Sequence, residues 1–440
     1  MTGMSYKETI EWLFGIQRFG SKPGLKHIHH LLGLIGYPQD RFKSIHVAGT
    51  NGKGSTTAMV ASILEAEGYK VGMFTSPHLS SFTERIVVDG QKIPVEEVVR
   101  IVDEIKLFVD QMARDHELRH PTFFEVVTAM GLKYFAEQDV DFAVLEAGMG
   151  GKLDATNVVH SLVSVITNVS LEHTKVLGKN LLEIAEKKAG IIKEGGVLIT
   201  ATEDDDVFSL FRKVCERTGS RIFRVGRDIW FRKLSSSLEG QSFQLNGLSY
   251  IFDELFIPLL GDHQLFNAAS AVGAIEALNF HEITVSREAI VEGLKGAKWP
   301  GRLEIVQRCP LVVLDCAKDV EAIRAVKEAL LKEFIYNRLI VVVSISSDKN
   351  IPAMIEKLAR VADLFVITSH GVMGRAATPS CIAKEVEKHS KPYEIVADVK
   401  DAVKRAMELA KEDDMVIAVG SVFLIGEARE LWFKPANPDL

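Results

Sequence analysis

The stretch HVAGTNGKGSTTAMV, residues 46–60, has the makings of a phosphate loop. Residues that favour a strand lead into three glycines around one lysine, and hydroxyls follow at Ser55 and Thr56. A strand that runs into glycines and then a helix brings free backbone N–H groups and the positive helix end to one point. Gly49, Gly52 and Gly54 permit close backbone approach, and Lys53 can reach terminal phosphates. The spacing departs from the standard G-x-x-x-x-G-K-[ST] pattern. Val47 stands five residues before Gly52, and Gly54 follows Lys53 where a hydroxyl is expected. A glycine-rich turn with a solvated lysine is the plainer alternative.

Other residues carry candidate chemistry. Ser76-Pro77-His78 follows an apolar run, so it sits at a strand's carboxyl end, where open α/β sheets keep their ligands. Ser76 could ligate a metal and His78 could contact a substrate, although an ordinary Ser-Pro turn reads the same way. Glu146 ends another apolar run and is followed by Gly148, Gly150 and Gly151. A carboxylate opposite a phosphate loop is the usual way to hold Mg²⁺ on a nucleotide, whereas a lone strand-end Glu is often just solvated. His173 lies past a further strand. Lys187 and Lys188 share a helix with Glu183 and Glu186, and the simple expectation for Lys188 is an exposed charge making i,i+4 pairs. Asn267 interrupts the apolar face of a helix, where capping or packing is the bland reading. Asp315 ends a strand in VVLDCAKD.

The elements that must position these residues follow from periodicity. KSIHVA (43–48), KVGMFT (70–75), DFAVLEAG (141–148), VSVITNVS (163–170) and GVLITA (196–201) read as strands. Helical spacing lies between them at 55–68 and 122–138, which predicts a mostly parallel sheet with helices on both faces. Between 221 and 258 short β-like pieces separated by turn residues predict a small antiparallel addition. A small-residue-rich helix spans 263–278. Pro300-Gly301 interrupts helical texture, and the alternation then restarts through 311–317, 339–345, 364–370 and 415–421. The division expected is therefore 1–298 for a first α/β domain and 299–440 for a smaller second one.

Bulk properties exclude several classes. With 440 residues the chain is long for one core, and two domains are the first expectation. A net charge of −7 without a basic run disfavours nucleic acid as a partner. The four cysteines form no CxxC pair, which argues against structural zinc or a disulfide framework and fits a reducing cytoplasm. No stretch is long and apolar enough for a membrane span, and the first residues do not read as a signal peptide. A monomer is the default expectation.

Taken together, GTNGKGS (49–55), TSPHL (75–79), FFEVVTAM (123–130), LEAGMGGKLDATN (145–157), EHTKVLG (172–178), GDHQLFNA (261–268), WPGR (299–302) and DK (348–349) resemble the folylpolyglutamate synthase/dihydrofolate synthase family of the Mur ligase superfamily. They stand in the family's order over nearly the whole chain, and the family's phosphate loop has the same short spacing. The resemblance implies an N-terminal P-loop sheet and a Rossmann-like C-terminal domain. It implies an ATP-dependent amide ligase that phosphorylates the carboxylate of a pterin substrate and lets L-glutamate attack the acyl phosphate. ATP would lie on Gly49, Thr50, Asn51, Gly52, Lys53, Gly54, Ser55 and Thr56, with Asn267, Arg302 and Asp315 reaching it across the cleft. Ser76, Glu146 and His173 would hold Mg²⁺, and Lys188 falls where the family carries a carbamylated lysine. The pterin would lie between residues 18–28, His78 and Asp154, and glutamate near Ser421.

One departure stands out. The family pattern D-G-A-H-N-P reads Asp315-Cys316-Ala317-Lys318-Asp319-Val320 in this chain. Lys318 replaces a histidine that can switch charge near neutrality. The substitution leaves open a related ligase for another pterin or amino acid, and a non-catalytic nucleotide-binding homologue.

Overall fold

The computed structural model describes residues 4–19, 24–115, 117–371 and 374–433. Two helices, α1 (Tyr6–Gly15) and α2 (Lys26–Leu34), precede the first sheet. The chain then runs through β1 (Lys43–Ala48), α3 (Lys53–Ala66), β2 (Val71–Phe74), β3 (Ile86–Val88), β4 (Gln91–Lys92), α4 (Val95–Arg114), α5 (Phe123–Glu137) and β5 (Phe142–Glu146). It continues with β6 (Val163–Ile166), the one-turn α6 (Thr174–Leu177), α7 (Leu181–Ala189), β7 (Val197–Thr200), α8 (Asp205–Thr218) and β8 (Arg221–Arg224). The strands lie in the order β4-β3-β2-β5-β1-β6-β7-β8, parallel except at β3 and β4. β5, β6 and β7 are buried along their whole length, so their apolar runs are continuous rather than alternating.

β1 has β5 on one side and β6 on the other. The connections diverge at that point, so the carboxyl ends of β1, β5 and β6 frame the crevice that such sheets offer a ligand. The glycine–lysine loop, Glu146 and the segment after Ile166 all emerge there.

The antiparallel addition is a three-stranded sheet of β9 (Trp230–Ser237), β10 (Gly240–Asn246) and β11 (Ile251–Ile257). The expected start at residue 221 is corrected by the structure. Arg221–Arg224 pairs in parallel with β7 and closes the main sheet instead. Helices α9 (Asp262–Glu276) and α10 (Arg287–Gly296) follow, and Phe243, Phe252 and Leu255 of the small sheet share one core with α3, α9 and α10.

The second sheet collects β12 (Glu304–Arg308), β13 (Leu311–Asp315), α11 (Val320–Glu333), β14 (Leu339–Val343), α12 (Ile351–Ala359), β15 (Leu364–Ile367), α13 (Pro379–Glu387), β16 (Tyr393–Ile395), α14 (Val399–Leu409), β17 (Met415–Val419) and α15 (Val422–Arg429). Its order is β12-β13-β17-β14-β15-β16, with only β12 antiparallel. Separate apolar cores cover its two faces.

Helix α3 is buried almost all round, from Gly54 to Leu64. A helix so enclosed needs small residues where neighbours cross it. Gly293 of α10 is one: a Cβ there would press on the backbone of Ile63. We expect Gly293→Ala to destabilise the chain by about 1–3 kcal/mol, because the forced separation of α3 and α10 outweighs alanine's helix preference. Urea unfolding measures it, and unchanged stability would show that the contact is soft.

Candidate active site

The phosphate loop is built on a neighbouring segment. Thr50 N–H donates to Asn168 O (3.0 Å), Asn51 N–H to Asn168 Oδ1 (2.9 Å), and Thr167 Oγ1 to Asn51 O (2.6 Å). Ser170 N–H donates to Thr50 Oγ1 (3.0 Å). The loop is thus a fixed turn. Gly52, at φ 84°, caps α3 without a side chain, a conformation that favours glycine. The glycines also answer to packing: Thr167 fills the place of a Cβ at Gly49, Asn267 at Gly52, and the Trp299 ring, 2.6 Å from that position, at Gly54.

As α3 begins, the N–H groups of its first turn have no intrahelical acceptors and face the crevice. The Ser55 and Thr56 hydroxyls are buried with no protein partner. Buried hydroxyls without partners are costly, so this pattern suits a site that receives a ligand or a hydrated ion. Lys53 folds back, donating to Gly49 O (3.2 Å) and Thr50 O (3.0 Å).

Glu146 ends the neighbouring strand, in register with Val47 at the base of the loop. Its Oε2 accepts the Ser76 N–H at 3.0 Å, which unites two residues singled out by sequence. Burial raises its pKa, opposed by Lys53, Arg302 and Lys318. His173 sits on the loop after β6 in a left-handed conformation (φ 51°), unusual for a side chain of its size. Its Nε2 lies 3.4 Å from Glu172 Oε1. Burial and the nearby lysines lower its pKa against the pull of Glu172. Among the described residues no group of three or more His, Cys, Asp or Glu side chains is gathered as for a metal. The expected Mg²⁺ set, Ser76, Glu146 and His173, contains only two such residues plus a hydroxyl; the Glu146 carboxylate beside Ser76 is an oxygen donor of the kind that suits a cation carried in on a nucleotide.

Lys188 departs from the simple expectation. It lies 2% exposed at the end of α7. Burial first, then the charge of Lys53, lowers its pKa to about 7. A substantial fraction of this amine is then neutral near pH 7, and a neutral amine is a nucleophile.

The second domain supplies cations from the facing side. Lys349 Nζ lies 3.2 Å from Glu172 Oε1, both side chains largely buried. Lys318 is within electrostatic reach of Glu172, Lys53, Lys349 and Arg302, and its burial lowers its pKa. Burial alone would raise Glu172, yet Lys318, His173, Lys53 and Lys349 together hold it at about 2. Arg302 donates to Gly301 O (2.9 Å) and acts on Asp315, Cys316 and Glu146. Asp315 itself is spent on backbone, accepting from Leu303 N–H (2.8 Å) and Ala317 N–H (2.7 Å), so it fixes the turn that presents Arg302. Asp319 caps α11 and also accepts from Asn51 Nδ2 (3.3 Å), tying the second domain to the phosphate loop.

Three expected substrate residues are each engaged by the protein itself. Asp154 is buried and both its oxygens accept hydrogen bonds, from Thr156 and from the Met149 N–H at 2.8 Å, so it braces the glycine-rich loop. His78 accepts from Arg85 Nε at 2.9 Å beside Phe14 and Phe82, and burial holds it neutral. Ser421 is buried and caps α15 beyond the end of β17. Of residues 18–28, positions 20–23 lie outside the described residues. Sequence reasoning passed over Glu172, Lys349 and the bracing segment 167–170. Glu172 and Lys349 were visible only as members of short motifs, because the ion pair joins residues far apart in the chain.

Comparison with known proteins follows the same outline. Residues 47–275 match the Mur ligase middle domain, and residues 301–422 match the Mur ligase glutamate ligase domain. The chain is 35% identical to the dihydrofolate synthase/folylpolyglutamate synthase of Bacillus subtilis over 97% of its own length and 99% of that protein's. It is 36% identical, over 99% of its length, to a probable bifunctional folylpolyglutamate synthase/dihydropteroate synthase of Haloferax volcanii, of which it spans about half (51%). The structure superposes on Mycobacterium tuberculosis folylpolyglutamate synthase complexed with ADP with a TM-score of 0.91 at 31% identity, covering 99% of this chain and 100% of that one.

The Asp319 contact yields a test. Asp319→Ala removes both the cap and the link to Asn51, and we expect a loss of about 0.5–2 kcal/mol in thermal or urea unfolding. Asp319→Asn keeps an oxygen for the cap and should lose only a few tenths of that range. Equal losses in the two variants would show that the charge, not the cap, matters.

Proposed function

The chain belongs to the Mur ligase superfamily, in its folylpolyglutamate synthase/dihydrofolate synthase family, and from that premise we propose how its residues join L-glutamate to the carboxylate of a folate-type pterin at the expense of ATP. The observation that carries the reading is the meeting of two half-sites. The glycine–lysine loop follows β1, and from the second domain Arg302 and Lys318 act on Glu146 while Lys318 and Lys349 act on Glu172, the two carboxylates that Lys53 also reaches.

A carboxylate is a poor electrophile, and phosphorylation supplies a leaving group. Phosphoryl transfer spreads charge over the phosphoryl oxygens, so positioned cations and amides lower the barrier. Lys53 and the first turn of α3 bind the phosphates, and Arg302 adds a planar donor from across the cleft. Asn267, against Gly52, orients the loop. Ser76, Glu146 and His173 would hold Mg²⁺, which offsets phosphate charge when bound. The amine of glutamate then attacks the acyl carbon, the carbon–oxygen bond to phosphate breaks, and phosphate leaves with the bonding pair. Lys318 faces that departing charge. Residues 1–298 would carry ATP and pterin, and residues 299–440 would complete the nucleotide site and receive glutamate, with Ser421 at the far end. His78, between aromatic rings, suits the pterin side. We take the protein to work as a cytoplasmic monomer without nucleic acid. None of the described helices is long and apolar enough to cross a membrane.

Lys188 is the candidate for carbamylation. A neutral amine attacks the carbon of CO₂, a C–N bond forms as one C=O π bond opens onto oxygen, and the nitrogen releases a proton to solvent, leaving an anionic carbamate that the positive charge of Lys53 would stabilise. Lys318 motivates a second reading, in which the acceptor is another pterin acid or another amino acid.

The assay combines protein, ATP, Mg²⁺ and L-glutamate with dihydropteroate or with tetrahydrofolate, and follows ADP and product mass. Amide product with either acceptor is expected. ADP formed only with another pterin acid would favour the second reading, and no ADP with any would leave a nucleotide-binding protein without ligase activity. For Lys188→Ala we expect turnover to fall by about 10²–10³-fold with ATP binding largely retained. Because Lys188 gains its proton as pH falls below about 7, a carbamate signal from ¹³C-bicarbonate should weaken on acidification. Wild-type turnover in the variant, or no carbamate signal at any pH, would remove that role.

A further inference from the structure

Glu172 has no part in the mechanism above, yet it is a meeting point of the cleft. It leaves the loop after β6 in the first domain and pairs with Lys349 of the second at 3.2 Å. Its side chain is 9% exposed and that of Lys349 is 13% exposed. The same oxygen lies 3.4 Å from His173 Nε2, and Lys318 and Lys53 are within electrostatic range. A buried ion pair is weak evidence of stability, since desolvation offsets most of the attraction. Its position suggests another use. It engages a cation from the facing domain at the mouth of the phosphate loop, where Lys53 is likewise engaged by the Gly49 and Thr50 carbonyls.

We propose that Glu172 is a placeholder anion, which holds Lys349 at the position that the terminal phosphoryl group of ATP claims. The two anions compete for one ammonium. Arrival of the phosphoryl group breaks the Glu172–Lys349 pair, and its departure lets the pair re-form. The exchange keeps Lys349 oriented without leaving it unpaired, and it weakens nucleotide binding by the energy of the displaced pair. Glu172 is therefore a positioning residue, acting through Lys349. The inference rests on reading the cleft as a nucleotide site.

The test compares binding of a non-hydrolysable ATP analogue and of ADP, each with Mg²⁺, by calorimetry. Glu172→Gln removes the competing charge and keeps the shape. We expect the analogue to bind about five- to tenfold more tightly and ADP to change by less than about twofold. A variant that only perturbed the fold would bind both more weakly. In a Lys349→Met background, Glu172→Gln should move analogue affinity by less than about twofold, because the contested ammonium is gone. No change in the single variant, weaker binding, equal tightening of both nucleotides, or an undiminished effect in the Lys349→Met background would each overturn the proposal. Failure of the unaltered protein to bind either nucleotide would overturn both the proposal and the nucleotide reading. Nucleotide binding without amide formation would refute only the ligase assignment.

Discussion

Burying several cations in one cleft is costly unless anions lie among them. Lys53, Lys318, Lys349 and Arg302 come from two separate sheets and meet around Glu146 and Glu172. Neither domain completes this arrangement alone. The phosphate loop contributes one cation and a helix start, the second domain contributes the others, and the carboxylates between them keep the cluster balanced. Under the proposed function a triphosphate would bring further negative charge to this cluster.

The same constraint explains the rigidity around the loop. A loop meant to present N–H groups to phosphate has to keep its shape when its ligand leaves. Thr167, Asn168 and Ser170 hold it through backbone and side-chain hydrogen bonds. Asn267 and Trp299 crowd its glycines from elements distant in the chain. Asp154 does similar service in the glycine-rich loop after β5, where its two oxygens stop the chain from spreading. Asp315 serves the turn before Arg302.

Much of this was legible in the sequence. Continuous apolar runs marked β1, β5, β6 and β7 and put Glu146 at a strand end, the glycines around Lys53 singled out their loop, and Arg302 was named only through the family resemblance. What stayed hidden depends on pairing across distance. RIFR (221–224) looks like the other short β pieces that follow it, and only its parallel register with β7 assigns it to the main sheet. Periodicity showed Lys188 on a helix, but whether that face is buried depends on what packs against α7. Asp154 was named only through the family resemblance and Asp315 as a strand-end carboxylate, and the backbone partners of both are invisible without coordinates. The Glu172–Lys349 pair joins loops of different domains, which no local pattern encodes.

In the proposed function one nucleotide is gripped by both domains. A crystal structure of the protein with Mg²⁺ and a non-hydrolysable ATP analogue tests it most directly. We expect phosphate oxygens within about 3 Å of Lys53 Nζ and of the Lys318 or Lys349 ammonium in the same molecule, the separation of a charge-assisted hydrogen bond. Phosphates touched by the first domain alone, with Lys349 still paired to Glu172, would contradict it.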